Sequence, residues 1–412
     1  MGGSITKCIL FIMAVLSTTT TTYLSNIANV LKKVIAPAIQ EVLPQETIWF
    51  DMLKTNAGVT PMANNTFYIS IRSGRHSGIA SVAEGATLPS GKPQWSQANV
   101  TAKYVFGTFD ITDQVIESAK SSVGSLVNYL MENTKSLKVD FARELNRIFW
   151  GAGDETIAKV AAGDATTGTT LTLAPVLAVN TDIPATKYLA AGMNLDINGD
   201  NCVIASVDSD TVVTLVAGIT RVAGENVKKA DGDNAVVDEP MGISGLLVNS
   251  GTIQGIDTAA NPWFTPAQIE TTSEALSEAK MIAAYVKAKE RGDPKFVFMN
   301  ASLWKKYGTL LTSMKKTSDL KEVLSGGWKG LDFMGGNASV VLDYDCPDGK
   351  VFFIDPDSLT LAQLTPISFI DRGDGLLRRV NYAAWQGVLR WYGNLCIKNP
   401  KANAVLTTKT GV

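Results

Sequence analysis

The residues that could carry catalysis are few and far apart. The chain has one histidine, His76, which lies between glycines in the sequence SGRHSG. A Ser-His-Asp hydrolase, a Cys-His protease or a multi-histidine metal centre would have to use this one side chain, and we interpret it as a solvated loop residue. The cysteines form no CxxC pair, which predicts reduced thiols in a cytosolic setting and neither a disulfide framework nor a zinc site. They are Cys8, Cys202, Cys346 and Cys396.

The sequence DINGDN has the spacing of a calcium-binding EF-hand loop at its start, with Asp196, Asn198 and Asp200 at alternate positions. The match fails further along. Asn201 stands where that loop needs its turn glycine, and Val207 stands where it needs a bidentate glutamate. We therefore interpret these polar residues as turn residues and not as metal ligands.

A glycine-rich stretch, 326–336, is the remaining candidate for a ligand site. It contains WKGLDFMGG but neither GxGxxG nor GKS or GKT, so a phosphate loop is not indicated. A turn cluster, or a loop packed near a symmetry axis, fits the pattern better. The residues therefore predict no enzyme activity, no cofactor and no bound metal.

The composition favours a protein whose surface is partly covered by other chains. Of 412 residues, 45% are hydrophobic and 18% are charged, and the second value is below the roughly one quarter that is usual in soluble proteins. The 37 basic and 39 acidic residues give a net charge of −2. A dedicated nucleic-acid binder would carry a basic excess, so the charge balance argues against that class.

Among the elements predicted from the sequence, one long helix is the most prominent. Residues 100–112 alternate apolar and polar side chains around Gly107, which predicts a half-buried strand. From residue 114 to 150 there is no proline, and Gly151 follows where a helix should stop. Apolar residues recur at helical spacing along this segment. They are Leu126, Leu130, Leu137, Phe141, Leu145 and Ile148, and we predict that they form the buried face of a spine helix.

The N-terminal region begins with the apolar run ITKCILFIMAVL, which is too short to span a bilayer. We interpret residues 1–12 as upstream sequence ahead of a native start at Met13. The alternative is a targeting signal, although no small-residue cleavage box follows. Residues 13–60 contain two short amphipathic helical patterns with Pro37 and Pro44 between them. This pattern fits equally an arm that packs on other parts and a helical hairpin of the main core.

A protruding β-hairpin is predicted for residues 61–106. Residues 67–71 and 99–106 alternate as strands, and the stretch between them is rich in Gly, Ser and Pro. A loop of this length without its own core is usually functional or disordered, and the alternative is a floppy surface loop. The charge of the loop is weakly basic, which would suit an acidic neighbour. The side chains that we expect to contact another subunit are Arg72, Arg75, Glu84, Lys92 and Trp95.

The composition changes after the spine. Residues 155–240 are rich in Thr, Val, Ala and Asp and have almost no aromatic residues. Short strand patterns separated by turn residues predict a small all-β insertion, either a barrel or a sandwich. Within it, VIASV and TVVTLV flank DSD in the manner of a hairpin.

An α/β pattern follows in residues 241–366. GISGLLVN predicts a strand, a helix capped by Thr265 or Thr271 continues through Lys289, and a second helix covers residues 301–311. KFVFMN, SVVLDYD and KVFFIDP predict short buried strands.

The terminal segment, 367–407, contains an aromatic strand around Trp385 and Trp391. We expect this strand to pair with the strand before the spine. A last strand pair, broken at Pro400, is predicted to follow it.

Taken in order, these parts resemble the major capsid proteins of tailed bacteriophages, which have the HK97-like fold. The resemblance covers about residues 13–407 and rests on the whole ordered set, including TFDITDQVIESA, FARELNRIFWGAG, GISGLLVNSGTIQGI and FVFMNASLWKKYGTLL. It implies an α+β fold with an N-terminal arm, an extended β-hairpin loop, a long spine helix, and peripheral and axial domains. The all-β insertion is an addition to the minimal fold.

The resemblance also implies boundaries for these parts. The leader is 1–12, the arm is 13–60 and the extended hairpin loop is 61–106. The peripheral domain with the spine helix combines 107–154 and 367–412, the insertion is 155–240 and the axial domain is 241–366.

The function implied by the resemblance is that of a structural coat protein. It would self-assemble as pentamers and hexamers into the icosahedral shell around the DNA genome of a tailed bacteriophage or prophage. Expected partners are copies of itself, scaffold, portal and decoration proteins, and packaged double-stranded DNA bound weakly and non-specifically. We expect no membrane partner, assembly in the host cytoplasm and a final location in the virion.

Two other functions stay open at this point. One is an encapsulin-like nanocompartment shell of the same fold that encloses a protein cargo. The other is an enzyme with an α/β active site between residues 241 and 356, for which the sequence supplies no nucleophile elbow, phosphate loop or set of metal ligands.

Overall fold

Two six-stranded sheets, a closed barrel and one long helix organise the described part of the chain. The computed structural model describes residues 21–22, 47–62, 65–118, 123–164, 167–176, 184–230, 239–313, 331–333, 337–370, 377–378 and 382–411. The leader 1–12, the helical pattern near residues 24–35 and most of the stretch 326–336 lie outside these ranges.

The helices of the described residues alternate with strands along the chain. They are α1 (Ile48–Met52), α2 (Asp113–Ser118), α3 (Val123–Trp150), α4 (Ile243–Leu246), α5 (Glu278–Lys289) and α6 (Ala301–Ser313). A π-helical turn, Leu53–Ala57, continues α1, and 3-10 turns occupy Pro262–Phe264, Pro356–Ser358 and Pro400–Ala402.

The strands are numbered in chain order. The first eleven are β1 (Thr21–Thr22), β2 (Val59–Pro61), β3 (Thr66–Gly74), β4 (Gln94–Thr101), β5 (Lys103–Thr112), β6 (Thr156–Val160), β7 (Thr167–Ala174), β8 (Asn194–Ile197), β9 (Asp200–Val207), β10 (Val212–Thr220) and β11 (Asn226–Lys229). The next seven are β12 (Thr252–Ile253), β13 (Ile256–Asp257), β14 (Gln268–Glu270), β15 (Glu274–Ala275), β16 (Phe296–Met299), β17 (Leu331–Phe333) and β18 (Ala338–Leu342). The last six are β19 (Val351–Ile354), β20 (Leu359–Phe369), β21 (Leu377–Arg378), β22 (Ala384–Ile397), β23 (Ala404–Leu406) and β24 (Lys409–Thr410).

The first sheet carries the spine. Its strand order is β1-β5-β22-β20-β2, with β21 also paired to β22. β5 and β22 are antiparallel along their length, from Thr112 opposite Ala384 to Lys103 opposite Gly393. The prediction that the aromatic C-terminal strand pairs with the strand before the spine is therefore confirmed.

The predicted spine is confirmed as α3, which ends at Trp150. Phe141, Leu145 and Ile148 are buried and Leu137 packs against the same core. The side chains of Leu126 and Leu130 lie outside the described part of the structure. Periodicity was sufficient here because a long amphipathic helix is the strongest local signal that a sequence carries.

The spine approaches the sheet closely at one glycine. A Cβ atom on Gly107 would lie 3.1 Å from Leu137 Cδ1 and 3.1 Å from Phe141 Cδ2. Such contacts are tighter than ordinary packing, so the absence of a side chain at Gly107 lets α3 rest on β5. The glycine in the middle of the predicted strand thus marks close approach of another element.

β3 and β4 form the predicted hairpin, with Thr66 opposite Thr101 and Arg72 opposite Trp95. The returning strand differs from the prediction. It ends at Thr101, and Ala102 separates it from β5, which belongs to the first sheet. The alternation of apolar residues continues through both strands, so the sequence pattern alone did not indicate the break.

Residues 156–229 form a closed six-stranded barrel in the order β10-β7-β6-β11-β8-β9. A buried ion pair lies against the backbone of β7: Arg221 Nη2 is 2.7 Å from Asp164 Oδ1, and Arg221 Nη1 donates to the Gly168 carbonyl at 2.9 Å. The residues with EF-hand-like spacing form the turn between β8 and β9, where the Gly199 amide donates to Asp196 Oδ1 at 2.7 Å. This is the turn role that the failed calcium match suggested.

The two ends of the barrel segment lie side by side on the body. The Glu155 amide donates to Glu239 Oε2 at 3.2 Å. A Cβ atom on Gly153 would lie 3.1 Å from Met241 Cα. Gly153 has φ of 73°, a conformation that favours glycine, so the chain turns sharply as it leaves the spine.

The second sheet has the order β14-β23-β19-β16-β18-β17. Its central strands β16, β18 and β19 confirm the strands predicted from KFVFMN, SVVLDYD and KVFFIDP. α6 confirms the predicted second helix, and its start is capped because Asn300 Oδ1 accepts the Leu303 amide at 3.0 Å.

Three local predictions in the C-terminal half are wrong. The helix predicted to start near Thr265 or Thr271 begins only at Glu278, because residues 268–270 and 274–275 pair in parallel with β23 and β24. These partners come from more than a hundred residues further along the chain and leave no mark on the local pattern.

GISGLLVN contains helix α4 and no strand. Ile243 and Leu246 are buried beside the end of the spine, and a short apolar run cannot be assigned to strand or helix by periodicity alone. The prediction of a last strand pair broken at Pro400 is also wrong, because the strand before Pro400, β22, lies in the first sheet and the strand after it, β23, lies in the second. The turn Pro400–Ala402 redirects the chain between them.

We predict that Gly107→Val lowers the free energy of unfolding by about 1–3 kcal/mol, because added atoms would overpack the contact with Leu137 and Phe141. Calorimetry of the full-length subunit measures the effect. Gly168→Val is the matched control, since Gly168 also lies in a strand and an added Cβ atom would meet nothing within 4 Å. An equal loss in both variants would contradict the close packing at Gly107.

Candidate functional site

The hairpin of β3 and β4 exposes large apolar side chains that the subunit does not cover. Leu88 is 77% exposed, Ile79 is 67% exposed and Trp95 is 62% exposed. Tyr68 is 58% exposed. Such side chains on one projection mark an interaction surface more often than a solvated loop.

The five residues predicted to contact another subunit all lie on this hairpin and are exposed; they are Arg72, Arg75, Glu84, Lys92 and Trp95. The structure brings Arg72 and Trp95 together as cross-strand partners. The other three lie in the segment between the strands. Arg72 Nε donates to the Gly74 carbonyl at 3.2 Å, and the Lys92 amide donates to Ser77 Oγ at 3.3 Å.

The base of the hairpin is fixed to the body. The Asn99 amide donates to the Gln254 carbonyl at 2.9 Å, and Asn394 Nδ2 donates to the Thr101 carbonyl at 2.9 Å. Val100 is buried with Met62 and its neighbours in a small cluster. The hairpin is therefore anchored at its base and exposed beyond it.

A buried junction, which sequence reasoning missed, holds the end of the arm. Trp49 of α1 stacks on Trp150 with ring centroids 4.6 Å apart. Its indole Nε1 donates to the Phe149 carbonyl at 3.1 Å. The neighbouring Phe50 amide donates to Asn146 Oδ1 at 3.0 Å. α1 is thus held on the last turn of the spine by stacking and by directional hydrogen bonds.

Asp343 connects this contact to the second sheet. Its Oδ2 accepts the Trp49 amide at 3.2 Å and Trp150 Nε1 at 3.1 Å. Its Oδ1 accepts the Asp345 amide at 2.8 Å. Burial and the charge of Asp345 raise the pKa of Asp343 to about 6, although these hydrogen bonds favour the ionised form.

Asp345 extends the junction to the barrel. Its Oδ1 lies 2.6 Å from Lys187 Nζ and accepts Tyr188 OH at 2.9 Å. Its Oδ2 accepts Asn146 Nδ2 at 2.6 Å. Burial, followed by the charge of Asp345, raises the pKa of Tyr188 well above its ordinary value, so this hydroxyl stays protonated as a donor. We use "the junction" below for Trp49, Phe50, Asn146, Trp150, Asp343 and Asp345.

A second charged network ties the barrel to the spine. Arg147 forms ion pairs with Glu144, at 2.9 Å, and with Glu239 at the end of the barrel segment. Lys229 of β11 lies 3.3 Å from Glu144. Burial alone would raise the pKa of Glu144, but Arg147 and Lys229 outweigh it and lower the pKa to about 2.

The residues considered for catalysis are not brought together. His76 lies on the hairpin, where its Nδ1 accepts the Gly78 amide at 3.0 Å. Cys346 lines a cavity of about 180 Å³ beside the junction, and burial raises the pKa of its thiol well above the ordinary value. Within the described ranges, no three His, Cys, Asp or Glu side chains are placed to hold a metal ion.

None of the helices that the structure describes is both long enough and apolar enough to cross a lipid bilayer.

An extended hairpin, a spine helix packed on a sheet of both chain ends, and a second sheet joined through a buried junction together define an HK97-like capsid fold. The chain belongs to the SU10 major capsid protein family, whose model matches residues 16–410. It is a shell-forming coat protein and a component of the virion.

The chain is similar to solved structures at low sequence identity. The capsid asymmetric unit of cyanophage A-1(L) is 12% identical, with 92% of this chain and 96% of that chain covered and a TM-score of 0.55. The capsid of the native GTA particle is 10% identical, with 92% and 96% covered and a TM-score of 0.46. The holo-SrpI encapsulin complex from Synechococcus elongatus PCC 7942 is 9% identical, with 93% and 96% covered and a TM-score of 0.46. No curated protein matches the chain.

We predict that Trp49→Ala lowers the free energy of unfolding by about 3–5 kcal/mol, because it removes the stacking on Trp150 and leaves a cavity in the core. Chemical denaturation followed by far-UV circular dichroism measures it. The matched control is Trp95→Ala on the hairpin, which should change stability by less than about 0.5 kcal/mol. A small effect at Trp49 would show that the junction does not hold α1.

The subunit should also become less stable as the pH rises through the range of Asp343. The Asp343 carboxyl group binds a proton more tightly in the folded state, where its pKa is about 6, than in the unfolded chain, where its pKa is near 3.8. Protonated Asp343 therefore makes its full contribution to the free energy of unfolding below about pH 4. Between about pH 4 and pH 6 this contribution decreases by about 1.4 kcal/mol per pH unit. Glu144 acts in the opposite sense and mostly at lower pH, since its contribution is present above about pH 4.5 and is lost as the pH falls towards 2.

Unfolding of the wild type and of Asp343→Asn at a series of pH values separates these effects. The slope between pH 4 and 6 should flatten in the variant, while the loss of stability below pH 4.5 should remain. An unchanged slope in the variant would assign the titration to another group.

Proposed function

We propose that this protein builds the icosahedral shell around the double-stranded DNA genome of a tailed bacteriophage or prophage, as pentamers and hexamers joined through the hairpin. The exposed apolar side chains of the hairpin carry this proposal. Leu88, Ile79 and Trp95 gain nothing on a lone subunit, whereas burial against a neighbouring copy removes their apolar surface from water. Closed symmetry repeats this contact around the shell.

The anchoring of the hairpin suits a mechanical link. Its base is held by the hydrogen bonds of Asn99 and Asn394, so a load on the distal part passes into the first sheet. Each contact between copies needs to be only modest, because many such contacts act together in a closed cage.

The charge of the chain fits a container better than a DNA-binding protein. A net charge of −2 limits self-repulsion between copies, and weak, non-specific contact lets packaged DNA remain mobile. We further propose that the chain has no catalytic role, that scaffold, portal and decoration proteins are its other partners, and that assembly takes place in the host cytoplasm.

The division of labour within the subunit is part of the proposal. Residues 13–60 serve as the arm and 61–106 as the extended loop. Residues 107–154 with 367–412 make the peripheral domain, 155–240 the insertion and 241–366 the axial domain. Within the last assignment, β23 lies in the sheet of the axial domain, so the chain end would contribute to both domains.

We predict that replacing residues 75–93 by a short glycine-serine turn between Gly74 and Gln94 leaves a folded subunit that forms no stable particles. Electron microscopy and sedimentation of the purified protein measure assembly, and circular dichroism checks the fold. Lys305→Ala, on the exposed side of α6, is a control that should assemble normally. Normal particles from the shortened hairpin would contradict the interlocking role.

Nucleic acid that copurifies with wild-type particles supports a phage shell, and a protein cargo would favour a nanocompartment.

A further inference from the structure

A groove of about 460 Å³ between the hairpin and the body collects positive charge. It is lined by residues 71–73 of β3, by the 3-10 turn at Trp263 and Phe264, by Arg291 after the end of α5, and by residues 398–401. Four of its lining side chains are cationic, and the lining that the structure describes contains no carboxylate. We call this site the basic groove, and its cations are Arg72, Arg291, Lys398 and Lys401. Cations from three separate segments therefore meet in one concave place.

The positive charge of the basic groove is largely uncompensated. No ion pair joins Arg72, Lys398 or Lys401 to a carboxylate of the residues that the structure describes. Arg291 differs, since its Nε lies 3.5 Å from Glu290 Oε1. These two side chains are 62% and 71% exposed, so water screens their attraction. The groove therefore favours an anionic ligand.

Acidic side chains close to the groove in the chain are paired with other lysines. Asp293, two residues after Arg291, forms an ion pair with Lys289. Asp357 lies 3.2 Å from Lys295. These carboxylates are outside the lining of the groove, and their charge is offset locally.

The backbone that presents the cations is fixed. Asn399 Nδ2 donates to the Arg291 carbonyl at 3.0 Å, which ties the turn at residues 398–401 to the end of α5. The two segments also touch at Gly292, where an added Cβ atom would overlap Ala402. The groove is therefore formed before any ligand binds, so binding would cost little backbone ordering.

Trp263 gives the groove an apolar wall. Its ring lies 5.4 Å from that of Phe264, between centroids, and its Nε1 donates to Asn261 Oδ1 at 3.1 Å. An apolar wall strengthens charge interactions beside it, because it excludes water. A second groove of about 610 Å³ shares Ser73 and Trp263 with the first and continues along the hairpin to Lys92. The cationic surface is thus elongated, which suits an extended polyanion.

We propose that the basic groove binds the phosphate groups of a nucleic-acid backbone. The guanidinium groups of Arg72 and Arg291 can each hold a phosphate with paired N–H donors, and the ammonium groups of Lys398 and Lys401 supply further charge. Four cations spread over one open groove match a row of phosphates better than one small anion. Contacts of this kind position a strand and carry no sequence preference.

The inference deepens the proposed function and rests on it for the source of the ligand, which would be the packaged genome. A chain with a net charge of −2 can still contact DNA at one basic place. At physiological salt, exposed charges interact over only about 8 Å, so the local charge decides the contact.

Fluorescence anisotropy of the full-length protein with labelled oligonucleotides tests the proposal. We expect a Kd of about 1–100 µM at physiological salt, which is the same for unrelated sequences. Four phosphate contacts predict that log Kd rises with log salt concentration with a slope of about 3–4. The double variant Lys398→Gln, Lys401→Gln should lower this slope by about two and weaken binding by about tenfold or more.

The matched control is the double variant Lys135→Gln, Lys138→Gln, which removes two exposed lysines from α3. It should leave the slope unchanged and the affinity within about twofold. Circular dichroism checks that both variants fold. Arg291→Gln, on another segment, should lower the slope by about one, and it keeps the test decisive if Lys398 and Lys401 cannot be replaced together.

A duplex, a single strand and polyglutamate of equal charge identify the source of the anion. Tighter binding of the duplex supports the groove as a contact for the packaged genome, and tighter binding of the single strand supports it as a contact for RNA or unpaired DNA. Binding of polyglutamate that is as tight would overturn the proposal and assign the groove to an acidic protein segment.

Two other results would also overturn the proposal, namely no binding by the wild type and equal losses in the two double-lysine variants. The shortened hairpin keeps all four cations of the basic groove. Its assembly and the binding titration are therefore separate measurements, so a failure of the shell proposal and a failure of this one are distinguishable.

Discussion

The stacking of Trp49 on Trp150, together with the hydrogen bonds that both residues donate to Asp343, is the contact on which the rest of the subunit depends. It lies where the end of the arm, the last turn of the spine and the second sheet meet. A tryptophan pair supplies a large buried surface, and its two N–H groups need acceptors once they are buried. The Phe149 carbonyl accepts the Trp49 indole, and the Asp343 carboxylate accepts the Trp150 indole together with the Trp49 backbone amide. Packing and hydrogen bonding therefore fix the same geometry.

Burial of the Asp343 and Asp345 carboxylates next to each other is unfavourable, and residues from the barrel offset part of this free energy. Asp343 and Asp345 lie close together in a poorly hydrated place, where two like charges are unfavourable. Lys187 and Tyr188 from the barrel offset the charge of Asp345. The barrel is therefore more than an attachment to the outside of the subunit, because its side chains complete the polar network beneath the arm. Removal of one partner would leave a buried charge without compensation.

Local patterns in the sequence were sufficient for elements whose identity depends on near neighbours. The spine, the hairpin and the short buried strands were predicted because apolar periodicity and turn residues mark them directly.

Elements that depend on distant partners could not be predicted in this way. β14 and β15 exist because the last residues of the chain pair with them, and α4 exists because the end of the spine leaves room for a buried turn. Trp49 and Asp343 are almost three hundred residues apart, and the sequence analysis assigned SVVLDYD only to a buried strand. The five hairpin residues could be expected at an exposed position because polar, glycine-rich sequence between two strands has few other solutions, and their contact with another subunit stays a prediction.

The proximity of Gly153 and Met241 has a meaning for the history and engineering of this protein. A module whose entry and exit meet at one point can be gained in a single recombination event without disturbing its host, and it can be exchanged for another with the same spacing of ends. The barrel position is thus a point at which one module can be exchanged for another, provided that the replacement supplies partners for Asp345 in place of Lys187 and Tyr188.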